Sequence, residues 1–284
     1  EEGIQLIVKT AGNDENVQIN QVDELLEEGV GALLVVAVNQ NTAAAIVRRA
    51  HKANVPIIGC DRIIRNSDLD FLITYDYRKV GELMVDYAVQ RVPRGNYVIF
   101  WGDASDANAV AIQNRQTEML KPYVDRGDIN IIYKTHVEGW SDAYAKNQMD
   151  NVLSFSTQAV DVILASNDVI ANSTLDVFDS HQISSKPLVT GQDATLEGCQ
   201  SVVRKRQTMT VYKSTVNMAK TALVLAKKLS LNQRVEVPEA TTFNGRKQVP
   251  TVLLQPTVTD ATNMMSTVIS DGVFTKDEVY GPSL

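Results

Sequence analysis

The sequence predicts an α/β protein of two doubly wound parallel-sheet lobes, and three observations lead there. Strand-length apolar runs recur along the chain and are continuous, as in Ala32–Val38 (ALLVVAV) and Val160–Ala165 (VDVILA). Continuous runs mark strands buried on both faces, which is the condition of a parallel sheet. Segments of helical period separate the runs, giving the βα alternation that places helices on the sheet faces. Finally, 284 residues exceed the roughly 100–200 of a common domain, so two such blocks fit better than one very wide sheet. A TIM barrel would need eight regular βα units, and the stretch 241–258 departs from that rhythm.

Taken in order, Ile4–Thr10 (IQLIVKT) is a β-rich run. Val17–Glu28 has apolar residues at Val17, Ile19, Val22, Leu25 and Leu26, close to helical spacing, and Gly29-Val30-Gly31 ends it. Ala32–Val38 is a strand, Thr42–Ala53 a helix, Val55–Cys60 a strand and Phe71–Tyr75 a short strand. Lys79–Arg91 is an amphipathic helix leading to the strand Asn96–Trp101. The second half repeats the pattern. Strands are expected at Ile129–Thr135, Val160–Ala165, Pro187–Thr190 and Met209–Tyr212. Helices are expected at Ser141–Leu153, Ile170–His181, Leu196–Lys205 and Val216–Leu229.

Composition narrows the function. The chain has 44% hydrophobic and 21% charged residues, the make-up of a globular protein. Its 34 acidic against 27 basic residues give a net charge of −7, which argues against nucleic acid as a partner, since phosphate backbones need a basic face. There is no apolar run of the ~18 residues that a membrane helix needs. The chain opens Glu1-Glu2-Gly3, without the basic region and apolar core of a signal peptide; a mature exported chain would open in the same way. Cys60 and Cys199 can form one bridge or none, and free thiols in separate lobes are expected.

In open parallel sheets ligands bind outside the carboxyl ends of the strands. The residues just after each predicted strand are polar: Asn39-Gln40-Asn41, Asp61-Arg62, Asp76, Asp103 with Asp106 and Asn108, Ser166-Asn167-Asp168, Gln192-Asp193 and Lys213. Amides and carboxylates each engage two adjacent hydroxyls, arginine adds a fork of donors, and an aromatic face packs on an apolar C–H surface. Asp61, Arg62, Asn108, Asn167, Asp193, Lys213 and Trp140 supply this kit for a small polyol. Each also has a purely structural reading. Asn167 or Asp168 can cap the following helix, Trp140 can belong to the core, Asp61 and Arg62 can form a local ion pair, and Asp193 can cap the helix after it.

Catalytic signals are weak. His51, His136 and His181 are scattered without metal-ligand spacing, and there is no G-x-S-x-G elbow, P-loop or G-x-G-x-x-G. No cofactor, metal or catalytic residue is expected. A glycosidase pair of carboxylates need not be local in sequence, so a sugar-modifying enzyme stands as a minor alternative.

These residues sit in blocks that resemble the periplasmic sugar-binding proteins of the ribose-binding type, and within them the D-xylose-binding branch that serves bacterial ABC transporters. The blocks are GCDRIIRNSDLDFLITYD (59–76), KVGELM (79–84), VPRGNY (92–97), LKPYVDRG (120–127), VEGW (137–140), LASND (164–168), TGQDATLEG (190–198) and QTMTVYK (207–213). They span nearly the whole chain. The resemblance implies a type I periplasmic binding fold of two lobes joined by three crossovers. It implies a monosaccharide, D-xylose above others, held non-catalytically between lobes that close like a hinge. By the same resemblance the sugar contacts are Asp61, Arg62, Asn108, Trp140, Asn167, Asp193 and Lys213.

The implied partner is an ABC permease, the alternative being the membrane histidine kinase of a two-component sensor, and the implied place is the periplasm or the outer cell surface. An effector domain of a lac-repressor-type regulator would need a helix-turn-helix upstream. The implied lobes are 1–103 with 213–250, and 104–212 with 251–284, with 241–258 as the third crossover. Two departures from the family stand out. Around Gln113, Asn114 and Arg115 the family has an arginine nearer the position of Gln113. The family also begins with a βα unit before the strand at Ile4, so a further N-terminal segment is expected to complete the first lobe.

Overall fold

The computed structural model describes residues 4–236 and 238–281; positions 1–3, 237 and 282–284 of the expected lobes lie outside the described residues. The chain forms two units and passes between them three times. Unit 1 runs up to Tyr75 and takes in Thr215–Leu254, while unit 2 holds Asp76–Ser214 and the chain from Gln255 onward.

In unit 1, α1 (Glu15–Glu27) starts at Asp14, whose carboxylate accepts hydrogen bonds from the Asn16 and Val17 amides. It is followed by β1 (Leu33–Val35), α2 (Ala44–Lys52), β2 (Ile57–Cys60) and β3 (Phe71–Tyr75). β1, β2 and β3 pair in parallel. Ile58, Cys60 and Ile73 pack with Ala222 and Leu225 of the later helix 215–230.

Unit 2 begins with α3 (Tyr77–Arg91), β4 (Gly95–Trp101), α4 (Ala107–Asp125), β5 (Ile129–His136), α5 (Asp142–Phe155) and β6 (Val162–Ala165). It continues with α6 (Asp168–Ser180), β7 (Leu188–Val189), α7 (Leu196–Val203) and β8 (Thr210–Tyr212). The chain then returns to unit 1 for α8 (Thr215–Ser230), β9 (Thr241–Phe243) and β10 (Gln248–Leu254). The strand β11 (Thr257–Thr259) and helix α9 (Lys276–Tyr280) end unit 2.

The two sheets explain the continuous apolar runs. Unit 1 has the order β1-β2-β3-β10-β9, parallel except for β9. Unit 2 has the parallel order β5-β4-β6-β7 and an antiparallel β8–β11 pair, which a bridge from Gln192 to Val211 connects to the chain after β7. β4 is central and feeds side chains to both faces. Val98 and Phe100 enter the core under α5 and α6; Tyr97, Ile99 and Trp101 enter the core under α3 and α4. A strand covered on both faces has no solvent side and so loses the alternation of an exposed sheet.

Two expectations need correction. Ile4–Thr10 joins no ladder. Its β-rich composition gives extended chain, but pairing also needs a partner edge, and the segment is tied down by side chains instead. Gln21 Nε2 donates to the Thr10 carbonyl at 2.7 Å and Lys9 pairs with Glu24. Residues 4–7 face Leu33 and Leu34 across a cavity of about 420 Å³, also lined by Leu223 and Leu231. The first lobe boundary falls at Tyr75/Asp76 and not after 103, because β4 pairs with β5 and β6 and α3 packs on α4. The later crossings fall at 214/215 and 254/255, within a few residues of those expected.

The α3–α4 contact depends on Gly81, where an added Cβ would lie 2.7 Å from the Ile112 carbonyl oxygen. That backbone atom cannot move aside. Gly81→Ala is therefore expected to destabilise unit 2 by about 1–2 kcal/mol, the overpacking cost exceeding the ~1 kcal/mol gain in helix propensity. Urea denaturation would show it as a lower midpoint with an unchanged slope.

Candidate functional site

Parallel pairing puts the carboxyl ends of β5, β4, β6 and β7 on one edge of the sheet, a parallel bridge from Gln192 to Val211 aligns β8 with them, and these ends carry five of the residues singled out from sequence. Asn108 follows β4, Trp140 follows β5, Asn167 follows β6, Asp193 follows β7 and Lys213 follows β8. Asp61 and Arg62 stand at the carboxyl end of β2 in unit 1.

Each position has a local cause. Asn108 is in the first turn of α4, where its amide nitrogen donates to Asp106, the N-cap. Its own side chain is not spent on capping in that bond. Asn167 is the N-cap of α6. Its Oδ1 accepts from the Ile170 amide at 2.9 Å, which leaves the two Nδ2 hydrogens as donors. Capping and ligand contact are therefore compatible. Asp193 does not cap α7, a role taken by Thr195.

Trp140 lies across Gly102, the residue after β4; a methyl group on Gly102 would overlap the indole ring. One side of the ring packs on the α5–α6 core cluster, yet the residue is half exposed. The turn holding it is unusual, with φ of 60° at Gly139 and 56° at Trp140. Asp103 fastens this turn by accepting from the Gly139 amide at 2.6 Å. Burial pushes the Asp103 carboxyl up, but hydrogen bonds from Ser105 and Gly139 outweigh it and hold the group below the usual carboxylate range.

Asp193 and Lys213 are brought together. Lys213 Nζ is 3.0 Å from Asp193 Oδ1 and donates to the Tyr77 hydroxyl at 2.9 Å. The lysine side chain is 12% exposed and the aspartate 40%, so the pair is anchored from the lysine side and open at the carboxylate. Asp193 itself has φ of 92° and Ala194 has φ of 48°, costly conformations for residues with a Cβ.

In unit 1, Asp61 also has a left-handed backbone, φ 64°. Its amide donates to Ile73 at 2.8 Å and its carbonyl accepts from Thr74 Oγ1 at 2.7 Å. Arg62 Nη1 reaches the Val38 carbonyl at 3.4 Å. Both side chains are half-buried at the end of the sheet.

Residues 1–234 match the family described as periplasmic binding protein domain. The chain belongs to this family. It is 34% identical over 277 residues to the D-xylose-binding periplasmic protein of Escherichia coli (strain K12), covering 98% of this chain and 84% of that one. Among solved structures it is similar to an ABC transporter solute-binding protein from Clostridium phytofermentans with bound β-D-glucose. That match has a TM-score of 0.86 and 26% identity, over 95% of this chain and 88% of the other. A fold-level likeness extends to the fructose-binding periplasmic domain of a hybrid two-component system, with a TM-score of 0.77 and 22% identity over 96% and 87% of the two chains. The chain is thus a non-catalytic solute receptor of the periplasm or cell exterior. Among the described residues no helix is long and apolar enough to cross a membrane.

Arg115, in the segment expected to depart from the family, is engaged locally. Its guanidinium bonds Glu82 through Nη2 at 2.6 Å and Nε at 3.2 Å, and reaches Glu118. It belongs to an ion network between α3 and α4. The histidines are likewise engaged locally, His51 with Asp70, His136 with the Gly102 carbonyl and His181 with Asp150. Cys60 and Cys199 are buried free thiols, in unit 1 and unit 2 respectively, and burial pushes both up to about 12.

Two residues of this region were not singled out as site residues from sequence. Tyr77 is buried at the start of α3, where the aromatic after the Asp76 cap is the only trace of it in the sequence. Asp168 reads from sequence only as a cap candidate. It is fully buried, its Oδ1 accepting from Gln207 Nε2 at 2.7 Å and its Oδ2 from the Thr195 amide at 2.9 Å.

Two outcomes are expected. In a Trp101→Phe background, Gly102→Ala should unseat the Trp140 ring and shift its emission to the red; unchanged emission would contradict the packing described. The second concerns pH. Burial pushes the Asp168 carboxyl up to about 7, with the charge of Asp193 adding to it, against ~3.9 in an unfolded chain. The thiol of Cys199 also faces it; its other partners, Gln207, Thr210 and Thr195, are neutral. The folded chain keeps a proton that the unfolded chain releases. Its stabilising contribution is present below about pH 4 and lost as pH rises through about 7. Relative to Asp168→Asn, the wild type should therefore lose about 2–3 kcal/mol between pH 5 and pH 8. Urea midpoints that keep a constant separation across that range would refute it.

Proposed function

We propose that this chain is a monosaccharide receptor that delivers its ligand to an ABC importer, and that the ligand is D-xylose. The observation that supports it most is the row of residues at the strand ends of unit 2, one from each of five successive strands: an amide, an indole, a second amide, a carboxylate and an ammonium group. Unit 1 adds a carboxylate and a guanidinium after β2. Groups of these kinds suit the hydroxyl rim and the C–H face of a pyranose. The relative at 34% identity is named for D-xylose, and the 26% identical structure holds β-D-glucose, so an aldose is the shared chemistry.

Asp61, Arg62, Asn108, Trp140, Asn167, Asp193 and Lys213 are the proposed contacts. Asp193 and Lys213 would engage adjacent hydroxyls, and Trp140 would cover the apolar face. The importer reading is preferred to a sensor module because the two-component domain is a likeness of fold alone.

Calorimetric titration with D-xylose beside D-ribose, L-arabinose and D-glucose tests the ligand. Heat with D-xylose at the lowest concentration supports the assignment. Tightest binding of D-glucose moves it to a hexose, and silence from all four sugars overturns the sugar reading. Asp193→Ala should weaken binding roughly tenfold to a hundredfold, the scale of one charged hydrogen bond, with the circular-dichroism spectrum unchanged. Full affinity in that variant would remove Asp193 from the site.

A further inference from the structure

The turn that presents Asp193 is held in an unfavourable shape, and a buried carboxylate holds one end of it. Both Asp193 and Ala194 have positive φ. Conformations of this kind persist only when their surroundings over-determine them. Here every amide of the turn is assigned. Asp193 N donates to the Val211 carbonyl at 3.1 Å, Ala194 N to Thr210 Oγ1 at 3.2 Å and Thr195 N to Asp168 Oδ2 at 2.9 Å.

The Thr195 amide thus ends directly on the Asp168 carboxylate, and the Thr210 hydroxyl that accepts the Ala194 amide lies close enough to favour the charged form of that same carboxylate. The Asp168 amide donates to the Gln192 carbonyl at 3.0 Å, tying down the residue just before the turn. The remaining carboxylate oxygen accepts from Gln207 Nε2. Gly191 and Gly198 flank the carboxylate so closely that a methyl group on either would overlap it. The seat is shaped for this side chain.

From this network we infer that Asp168 is a positioning residue, its buried carboxylate fixing the Asp193–Ala194 turn and hence the direction in which Asp193 is presented to ligand. It touches no ligand itself. The effect on ligand rests on the sugar reading above; the hold on the turn does not.

Two readouts on the full chain keep those apart. Amide hydrogen exchange of the ligand-free protein, read by NMR, should show Ala194 and Thr195 exchanging roughly tenfold faster in Asp168→Asn, with the amides of β4 and β6 unchanged. Calorimetry with D-xylose should show affinity reduced roughly tenfold to a hundredfold in the same variant. A residue that only fills space would leave both the exchange and the affinity of the folded protein unchanged, and either result overturns the inference.

Thr210→Val and Thr210→Ser give a second pair should Asp168→Asn fail to fold. The valine, which lacks the hydroxyl that accepts the Ala194 amide, should lose affinity and Ala194 protection, and the serine should restore both. Equal behaviour of valine and serine overturns the hold of this network on the turn. Should the wild type bind neither D-xylose nor D-glucose, the sugar reading falls and the exchange of Ala194 and Thr195 alone decides the role of Asp168.

Discussion

Parallel pairing of β4 between β5 and β6 constrains everything else in unit 2. A parallel neighbour can be reached only by a crossover, and a crossover of this length is a helix. Every strand of the four-stranded sheet therefore ends on the same edge, and every helix that follows begins there. Helix N-termini bring free amides and capping side chains, so Asp106, Asn167 and Thr195 gather at one edge for reasons of backbone hydrogen bonding. β4 also marks the point where the strand order reverses, with β5 on one side and β6 on the other. The loops diverge there and leave room for a ligand. The polar groups and the room for a ligand arise from the same constraint.

Holding side chains at that edge has a thermodynamic cost, and unit 2 spreads it unevenly. Asp193 and Trp140 occupy left-handed backbone, each at roughly 1–3 kcal/mol. Trp140 recovers much of this by packing on Gly102 and the α5–α6 core. Asp193 is exposed and cannot; its turn is held instead by hydrogen bonds to Thr210 and Asp168. Asp168 is in turn a buried carboxyl, a group whose ionisation is disfavoured by desolvation. An apolar residue there would spare the desolvation but leave the Thr195 amide without its acceptor. Retaining a buried ionisable group beneath a strained turn fits a trade of stability for function.

Much of this architecture was legible in the chain. Runs such as Val160–Ala165 and Asn96–Trp101 are buried on both faces, and their continuous apolarity announced parallel strands. Asp14, Asp76 and Asp106 each cap a helix in the structure, a role not read from the sequence. Legibility failed where the decisive contact was distant. Ile4–Thr10 has strand composition, but a ladder needs a second edge, which local composition does not specify. The first crossing between units was placed after 103 because β3, α3 and β4 are equally regular; only the pairing of β4 with β5 and β6 moves it to Tyr75/Asp76. Among the candidate site residues, the positions of Asn167, Asp193 and Lys213 after strands were legible in the sequence. Tyr77 did not, because its partner Lys213 lies 136 positions away in sequence. Asp168 reads as an ordinary cap until Gln207, Thr210 and Thr195 are folded around it.

The charges at the strand ends bear on what kind of solute fits. Asp193 in unit 2 faces Lys213 at 3.0 Å, and in unit 1 Asp61 is followed directly by Arg62. In each unit the named ionic groups sum to zero, and the remaining ones, Asn108, Asn167 and Trp140, are neutral. A solute carrying net charge would enter such a region without a counter-charge, and burying an unpaired ion costs several kcal/mol. A neutral polyol meets no such penalty, since its hydroxyls both donate and accept and can insert between carboxylate and ammonium while satisfying each. Tyr77 sharpens the arrangement by holding Lys213 from behind, so the ammonium group stays in place and loses less rotamer entropy when a hydroxyl binds. With the contacts proposed above, the balance of charge would favour an uncharged, hydroxyl-rich solute over a sugar acid or an amino sugar.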